Sequence, residues 1–438
     1  MSEQKKKGGL LGWYFNFNLL YRILIGLALG IVLGLVFREK ILWIKPFGDI
    51  FVRLLKMIMM PIILSTLIVG ASSVSPASLG KVGVRVIVFY LATSAFAVVI
   101  GLLMGTIFRP SAELNQINEL ASAAAARVAP TLAPSDIILN IVPTSVASAI
   151  VSENVLAVIF FALVFGLGIS YAKGSDDPRL KHAGEVVFSF WEGVAEVITM
   201  VIKWIMEYAP IGVLALVSVV FADNGPKVIG SLGIVTAACF SGYAIHVFFV
   251  YFALVKFYGR LPLGRYLRDA KDPFITAFVT RSSNGTLPVT MKSAANLGVS
   301  KEVYSFSLPL GATINMDGTA IYQGVCATFI ALSVGRGTFS LQEMGVIVLT
   351  ATLASIGTAG VPGAGAIMLL MVLDAVGLPV TAGSLVAGAY AMILGIDAIL
   401  DMGRTALNVS GDLACTACVS KKMGLMDMSK WEKEKKSA

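Results

Sequence analysis

Charged residues are scarce in this chain of 438 residues. Asp, Glu, Lys and Arg make up 14% of it and hydrophobic residues 57%, whereas about 25% of an ordinary globular domain is charged. Apolar runs long enough to cross a hydrocarbon core of about 30 Å recur throughout, for example at 19–37, 86–108, 155–171 and 234–255. The composition therefore excludes a water-soluble globular protein and predicts a membrane protein with several spans.

Histidine and cysteine are also rare, with two and four copies. His182 and His246 are too isolated in the sequence to predict a metal site. Cys415 and Cys418 form a CxxC, but without a second pair or a nearby histidine it argues only weakly for a zinc or redox site. Because no nucleophile–base set or metal cluster is present either, we do not expect an enzyme.

The basic residues are placed as in a polytopic membrane protein. The formal net charge is +8, and lysines gather at 5–7 and 430–436, where basic runs favour the cytoplasmic side. The first residues contain no apolar run before residue 19 and no small-residue cleavage site, so they read as a retained tail. We expect a multi-pass protein of the inner (plasma) membrane, with both termini cytoplasmic, lipid around it and no nucleic-acid partner.

Two apolar segments in the second half of the chain are interrupted. Residues 281–288 (RSSNGTLP) and 355–365 (SIGTAGVPGAG) carry glycine, proline and small hydroxyl residues in their middle, so neither can be one straight helix. Unpaired backbone is tolerated at membrane depth only where it is buried in protein or lines a wet cavity. Surface loops of such apolar composition would be hard to keep in water, and re-entrant hairpins are the better interpretation.

Each interrupted segment is followed by a long span with an internal polar motif. Residues 315–319 (NMDGT) follow the first, and residues 401–405 (DMGRT) follow the second. Paired interrupted segments in corresponding positions indicate the binding site of a transporter, at the interface of an inverted repeat. A site between Arg281 and Asp412 is therefore predicted.

The last span carries a polar stripe along one face. At about 100° per residue its members lie within an arc of roughly 100°. They are Asp397, Asp401, Arg404, Thr405, Asn408 and Asp412. With Arg281 and Asp317, the charged members would cost roughly 15–20 kcal/mol at the bilayer centre, so they must be paired, hydrated or occupied by ligand. Two milder interpretations stay open: Asp397 only holds Arg404 in place, and Arg281 lies near the cytoplasmic interface.

The charged residues limit the kinds of ligand that the site could bind. Four carboxylates face two guanidinium groups, an excess that a bound cation would neutralise. Asp317 and Asp412 lie among amide and hydroxyl residues, and hard cations prefer such oxygen ligands. Arg404 offers a rigid fork for a carboxylate, and Asp401 offers a partner for an ammonium group. An amino acid with an acidic side chain would satisfy both.

Four motifs in this order closely resemble the sodium-coupled glutamate/aspartate transporter family, especially its prokaryotic aspartate carriers. The similarity runs from about residue 20 to residue 421. The motifs are TRSSNGTLP at 280–288, NMDGT at 315–319, ASIGTAGVPGAG at 354–365 and GIDAILDMGRT at 395–405. The resemblance implies an all-α membrane protein with eight transmembrane helices, two re-entrant helical hairpins and inverted repeats. It also implies a homotrimer, an elevator-type movement and a second hairpin that acts as the gate.

The resemblance also implies a division of the chain. Residues 1–80 and 111–222 would form the loop and scaffold region with spans one, two, four and five. Residues 81–110 (span three) and 223–421 would form the transport domain, and 422–438 a cytoplasmic tail.

The family's substrate contacts map onto residues of this chain. Arg404 and Thr319 would bind the side-chain carboxylate, Asp401 the amino group, and Asn408 with Ser283 the α-carboxylate. The remaining pocket residues would be Thr405, Val361, Gly365 and Met316. Arg281 and Asp397 are expected to support the charges of the last span, either by pairing with each other or by steadying their neighbours.

Three sodium sites carry over in the same way, and no organic cofactor is implied. The first would comprise Gly311, Asn315, Asn408 and Asp412. The second would comprise Thr313, Ser355, Ile356 and Thr358. The third would comprise Tyr90, Thr93, Ser94, Asn315 and Asp317. The resemblance thus predicts three sodium ions for each L-aspartate, with L-glutamate and D-aspartate as further candidate substrates.

Two positions depart from relatives. Asn284 stands where many have a third serine, and Gln323 stands where animal members carry a proton-linked glutamate, so neither proton cotransport nor potassium antiport is expected. A proton-coupled C4-dicarboxylate carrier of the same family is the nearest alternative, which the amino-group partner Asp401 argues against. An anion-conducting channel lined by the polar stripe is the other.

Overall fold

The computed structural model describes residues 17, 19–72, 81–112, 142–152, 154–356, 358, 360, 362–381 and 384–432. Helices dominate these residues, no β-strand occurs among them, and an isolated β-bridge joins Val299 to Met426. The prediction of an all-α chain is confirmed for this part. The α-helices in chain order are α1 Leu19–Phe37, α2 Lys45–Ser72, α3 Lys81–Phe108, α4 Val146–Val151, α5 Val155–Lys173, α6 Pro178–Asn224, α7 Lys227–Ile245, α8 Leu263–Thr280, α9 Ser283–Asn296, α10 Lys301–Ile314, α11 Asp317–Ser333, α12 Leu341–Ile356, α13 Ala364–Ala375, α14 Leu385–Lys422 and α15 Ser429–Glu432.

Five helical stretches in the described ranges are long and apolar enough to cross a membrane. Two of them, Tyr21–Ser72 and Pro178–Ala222, have 52 and 45 residues, about twice the 20 or so that one crossing needs. In the first stretch, a 3₁₀ helix at Arg38–Ile44 joins α1 to α2. The polar residues 38–40 therefore lie in a change of helix type within one helical stretch.

The helices pack in two groups. In the first group α6 packs against α1, α2 and α5, and small residues allow close approach, since a Cβ on Gly26 would stand 2.5 Å from the carbonyl oxygen of Pro210. In the second group α14 packs against α3, α8, α10 and α11, and it also touches α1 and α6. The predicted division into scaffold and transport domain stays a prediction, because packing alone does not show movement.

The first interrupted segment contains one sharp break. Arg281 adopts a left-handed conformation with φ of 54° and ends α8. Ser282 then caps α9, because its hydroxyl accepts a hydrogen bond from the backbone N–H of Gly285 at 3.0 Å. Gly285 and Pro288, to which the sequence pattern attributed the interruption, lie inside α9. That detail of the prediction is wrong, and the left-handed arginine makes the turn instead.

The second interrupted segment separates α12 from α13. The Thr358 hydroxyl donates to the carbonyl of Ala354 at 2.8 Å. This side-chain bond satisfies a carbonyl in the last turn of α12. Gly363 has φ of 82°, a conformation that favours glycine, and α13 begins at the next residue. The two helices pack against each other, as α8 and α9 do.

The NMDGT motif is itself a helix break. The α10 helix ends at Ile314, Asn315 and Met316 have non-helical backbone angles, and α11 begins at Asp317. The carbonyl end of α10 and the N–H end of α11 therefore meet in the protein interior, where the first attracts cations and the second attracts anions. Asp317 occupies the first position of α11 and is fully buried.

The described residues after α14 pack against the rest of the protein. The indole N–H of Trp431 donates to the carbonyl of Leu297 at 2.6 Å, and the N–H of Asp427 donates to the carbonyl of Gly298 at 2.7 Å. The guanidinium of Arg265 lies 4.9 Å from the Trp431 ring centre. The described part of residues 422–438 packs across the ends of α8 and α9, and the assignment of these residues to a cytoplasmic tail stays a prediction.

Candidate functional site

The candidate site lies where the three chain breaks meet the middle of α14. It is built around Arg404, whose side chain is 2% exposed. Its Nη2 and Nε lie 2.7 and 3.1 Å from Oδ1 of Asp401, and its Nη1 lies 3.3 Å from Oδ1 of Asp397. The guanidinium carbon stands 4.5 Å from the centre of the Tyr322 ring, a cation–π contact. One buried positive charge is thus held between two carboxylates and an aromatic face.

Asp401 connects α14 to the second chain break. Its Oδ1 accepts a hydrogen bond from the Thr405 hydroxyl at 3.2 Å, and its Oδ2 accepts one from the backbone N–H of Gly363 at 3.2 Å. Asp397, Arg404 and Asp401 lie on one face of α14 because their spacing of three, four and seven residues matches the helical period. The polar stripe predicted for this helix is buried, and its first four members form one contact network.

A small cavity unites most of the predicted substrate residues. It has a volume of about 10 Å³, roughly that of one water molecule. Eight predicted residues line it, namely Arg404, Asp401, Thr319, Asn408, Thr405, Ser283, Gly365 and Met316. Arg281, Thr358 and Gly360 complete the wall, and the ninth predicted residue, Val361, lies outside the described residues. A larger ligand fits only if these walls move apart.

The two interrupted segments touch above this cavity. The Ser282 hydroxyl and the backbone N–H of Asn284 both donate to the carbonyl oxygen of Gly360, at 2.8 and 3.3 Å. A Cβ on Gly360 would stand 2.9 Å from the carbonyl of Ala312 and 3.1 Å from the Asn284 side chain. The contact between the two segments therefore consists of two hydrogen bonds to the carbonyl of Gly360, a residue that must be small.

Asn408 ties α14 to the start of α11. Its Oδ1 accepts from the backbone N–H of Gly318 at 2.7 Å, and its Nδ2 lies 3.0 Å from the Met316 sulfur and 3.5 Å from the Thr319 hydroxyl. The close packing requires glycine at 318, because a Cβ there would overlap the backbone carbonyl of Arg404. Asn408, Met316 and Thr319 are thereby brought to one wall of the cavity.

The residues predicted for the first sodium site also converge. Asn315 Nδ2 donates to Asp412 Oδ1 at 3.0 Å and to the carbonyl of Asn408 at 3.3 Å. Gly311 lies alongside, since a Cβ on it would stand 2.5 Å from Asp412 Oδ1. This cluster of carboxylate, amide and carbonyl oxygens at the end of α10 has the chemistry that a hard cation requires.

The second predicted sodium set is only partly described. Ser355 and Ile356 form the last turn of α12, and Thr358 follows it. The Thr313 hydroxyl donates to the carbonyl of Leu310 at 2.9 Å on α10, which packs against α12. The described residues of this set lie on neighbouring elements, but no hydrogen bond joins Thr313 to Thr358.

The third predicted sodium set spans α3 and the break between α10 and α11. Thr93 Oγ1 lies 3.3 Å from Asn315 Oδ1, and Ser94 Oγ donates to Asp317 Oδ1 at 2.6 Å. The Tyr90 hydroxyl donates to the carbonyl of Ser307 at 3.0 Å. All of these side chains are buried, so polar residues 220 or so positions apart in the chain share one interior site.

The sequence pattern missed two residues of this region. His246 Nε2 lies 3.1 Å from Asp317 Oδ2, and the Tyr251 hydroxyl donates to the same oxygen at 2.6 Å. The sequence predicted no metal site at His246, and its contact with Asp317, 71 positions away in the chain, lies outside what that prediction considered. The available signal was the burial cost of a histidine inside an apolar span, which by itself favours a functional role.

Arg281 and Asp397 line a second small cavity of about 20 Å³ beside the first. Both side chains are buried. Among the ion pairs of the described residues, Asp397 pairs with Arg404 and not with Arg281. Of the two expected roles for Arg281, steadying the charges of α14 at a distance fits this geometry, and direct pairing does not.

Transition-metal chemistry has no candidate centre in the part of the chain that the structure describes. No group of three or more His, Cys, Asp or Glu side chains is placed to hold a metal ion there. The four cysteines are buried and free. The polar interior is therefore an oxygen-rich site with one guanidinium at its centre.

Comparison with known sequences decides the family. The model of the sodium:dicarboxylate symporter family matches residues 19–422. This chain belongs to that family. The family resemblance inferred from the four motifs is thus confirmed. Symporters, and not enzymes, make up the family, and with its apolar helices the chain is a membrane-embedded transporter protein.

Relatives within the sodium:dicarboxylate symporter family cover most of the chain. The proton/sodium-glutamate symport protein of Geobacillus stearothermophilus is 33% identical over 95% of this chain and 94% of its own length. The proton/glutamate-aspartate symporter of Escherichia coli K12 is 32% identical over 93% of each chain. The human neutral amino acid transporter B(0) is 33% identical over 83% of this chain and 71% of its own length. The family therefore includes carriers named for acidic and for neutral amino acids.

Proposed function

We propose that this chain is a secondary active transporter that takes up an acidic amino acid with sodium. L-aspartate is the proposed substrate, and L-glutamate and D-aspartate are further candidates. The observation that carries the proposal is the buried Arg404 guanidinium, which Asp401 and Asp397 hold at the wall of a polar cavity. A guanidinium beside a carboxylate matches a substrate that bears both an extra carboxylate and an ammonium group.

Substrate binding exchanges one set of ion pairs for another. Arg404, now bonded to Asp401, turns to the side-chain carboxylate of the substrate, which Thr319 also contacts. Asp401 is then released to accept from the substrate ammonium group. Asn408 and Ser283 hold the α-carboxylate, and Thr405, Met316, Gly365 and Val361 complete the pocket. The exchange gives Arg404 and Asp401 a substrate charge of opposite sign each, since a buried charge that loses its partner is strongly destabilising.

Sodium ions would bind at the two carboxylates that have no partner on the substrate, those of Asp412 and Asp317. Asp412 serves the first site with Gly311, Asn315 and Asn408, and Asp317 serves the third with Tyr90, Thr93, Ser94 and Asn315. The second site comprises Thr313, Ser355, Ile356 and Thr358, next to the gate. The close approach of Asn315 to Asp412 and of Ser94 to Asp317 supports the first and third sites.

Three sodium ions with one monoanionic amino acid carry a net charge of +2. A membrane potential of 100 mV would then contribute about 4.6 kcal/mol to accumulation, roughly three decades in concentration. The sodium gradient adds to this. A measured coupling ratio of one or two sodium ions per substrate would contradict the three-site assignment.

The proposed architecture is an elevator in the inner (plasma) membrane with cytoplasmic termini. It has eight spans and two re-entrant hairpins, α8–α9 and α12–α13, and it assembles as a homotrimer. Residues 1–80 and 111–222 form the scaffold, and residues 81–110 and 223–421 form the moving domain. The second hairpin is the gate, and the bonds from Ser282 and Asn284 to Gly360 support this role because they join the two interrupted segments at the wall of the cavity.

The test is uptake by the purified chain in sealed vesicles. Sodium-dependent accumulation of aspartate and glutamate is compared with that of succinate and alanine, and each is repeated for Arg404→Cys. We expect acidic amino acids to accumulate only when sodium is present, and we expect Arg404→Cys to abolish their uptake. Full aspartate uptake by Arg404→Cys would overturn the side-chain carboxylate assignment.

Coupling to protons is the second candidate, because the two bacterial relatives above carry proton in their names. The position at which animal members carry a proton-linked glutamate holds Gln323, which is fully buried and has no acidic proton to carry. Succinate uptake that is unaffected by replacing sodium would favour the proton-coupled dicarboxylate carrier. Currents without stoichiometric accumulation would favour an anion channel.

A further inference from the structure

Asp317 has an unequal arrangement of hydrogen bonds around its two carboxylate oxygens. Oδ2 meets two donors, the Tyr251 hydroxyl at 2.6 Å and His246 Nε2 at 3.1 Å. Oδ1 meets the Ser94 hydroxyl at 2.6 Å. Because a carboxylate oxygen accepts about two hydrogen bonds, Oδ2 is fully used and Oδ1 keeps one lone pair. That remaining lone pair belongs to the oxygen bonded to Ser94, on the side of α3.

A local change of helix type brings the two donors together. His246 and Tyr251 are five residues apart, and in a regular α-helix such residues point about 140° away from each other. Here residues His246–Tyr251 form a π turn, whose wider i to i+5 spacing brings residue i+5 back over residue i. The two rings pack edge to face with centres 4.7 Å apart, and both polar atoms reach one oxygen.

Packing alone does not account for these two side chains. Both are buried, where phenylalanine or leucine would fill similar space without polar atoms to satisfy. An ionised carboxylate only accepts, so the tautomer of His246 that bonds to it is the one with its proton on Nε2. The ring is thus used as an oriented hydrogen-bond donor.

We infer that His246 and Tyr251 are positioning residues for sodium: they fix Oδ2 of Asp317 so that Oδ1 faces the third sodium site. This inference rests on the proposed function. Residues that orient a metal ligand from behind typically change metal affinity by about 10- to 100-fold when they are lost. The expected signature is a weaker sodium affinity with an intact maximal rate, because neither residue touches the substrate cavity.

The chain offers a matched control on the same helical segment. Tyr243 is buried like Tyr251, but among the described residues its hydroxyl has no hydrogen-bond partner. Tyr243→Phe and Tyr251→Phe therefore remove the same atom from the same segment, and only the second removes a bond to Asp317. For histidine, His246→Gln keeps an N–H donor and His246→Leu keeps only volume.

The experiment uses the full-length purified chain in two assays. Sodium titrations of thermal unfolding in detergent report binding without transport, and aspartate uptake into vesicles at varied sodium reports half-saturation and maximal rate. We expect Tyr251→Phe and His246→Leu to raise the half-saturating sodium concentration about tenfold in both assays. Tyr243→Phe should match the wild type, and His246→Gln should recover most of the loss.

The outcomes separate this inference from the proposed function. If the wild type takes up aspartate with sodium and Tyr251→Phe has the same half-saturation as Tyr243→Phe, the positioning role is overturned and the proposed function stands. A fall in maximal rate at unchanged sodium affinity would also overturn it. If sodium neither stabilises the wild type nor drives its uptake, the proposed function fails first.

Discussion

Gly365 lies directly against the guanidinium of Arg404, at a distance that leaves no room for a side chain. A Cβ built on Gly365 would stand 2.5 Å from Nη1 and 2.6 Å from the guanidinium carbon. Gly365 belongs to the first turn of α13, and Arg404 belongs to the middle of α14. The proposed gate therefore packs directly against the residue proposed to bind the substrate, and only glycine at position 365 leaves room for this contact.

This contact predicts the effect of Gly365→Ala. The added methyl must displace Arg404 or push α13 away, so we expect the apparent affinity for aspartate to fall by about tenfold or more, which corresponds to about 1.4 kcal/mol. The measurement is the concentration dependence of aspartate uptake at saturating sodium. Gly388→Ala in α14 is the control, since a Cβ at that position meets no atom within 4 Å. Equal affinities in both variants would contradict the contact.

Asp412→Asn tests the first sodium site. Asn315 Nδ2 donates to Asp412 Oδ1 at 3.0 Å, and the amide has the shape of the carboxylate without its charge. We expect the half-saturating sodium concentration to rise by more than about tenfold, the usual scale of loss around a metal ligand. Sodium-dependent uptake measures it. Glu302→Gln, an exposed change in the first turn of α10, should leave the sodium dependence unchanged.

Gly324→Ala tests the packing of α3 against α11. A Cβ on Gly324 would stand 2.7 Å from the backbone N of Leu102 and 2.9 Å from the carbonyl carbon of Gly101. Backbone cannot move aside as a side chain can, so we expect a loss of about 1–3 kcal/mol in the free energy of unfolding. Thermal unfolding in detergent measures this. Gly345→Ala, which meets open space, should be neutral or slightly stabilising, and an equal loss in both variants would refute the packing explanation.

Trp431→Ala tests the packing of the C-terminal segment. Trp431 is 8% exposed, and its N–H bond to Leu297 joins this residue to the end of α9. Loss of a buried Trp costs about 3–5 kcal/mol, and we expect faster tryptic cleavage between α14 and the C-terminus. Trp431→Phe keeps an aromatic ring and loses only the hydrogen bond to Leu297, which we expect to lower the free energy of unfolding by about 1 kcal/mol. A cleavage rate equal to that of the wild type in Trp431→Ala would show that this segment is free in solution.

Sequence reasoning succeeded where the signal is local. The face that joins Asp397, Asp401 and Arg404 follows from helical spacing, and all three are buried in one network. The position of each chain break followed within a few residues from glycine, proline and hydroxyl residues. The turn residue itself, the left-handed Arg281, was missed, because a non-glycine residue enters that conformation only when its surroundings enforce it.

The sequence by itself determined that the chain spans a membrane, that it belongs to a transporter family and which residues form the polar face of the last helix. These follow from composition, periodicity and contiguous motifs. Only the tertiary structure decided that the backbone of Gly363 bonds to Asp401, that His246 and Tyr251 share one oxygen of Asp317, and that Trp431 packs against the end of α9. Those contacts join residues up to 134 positions apart, and their distances depend on how helices pack, which no local pattern records.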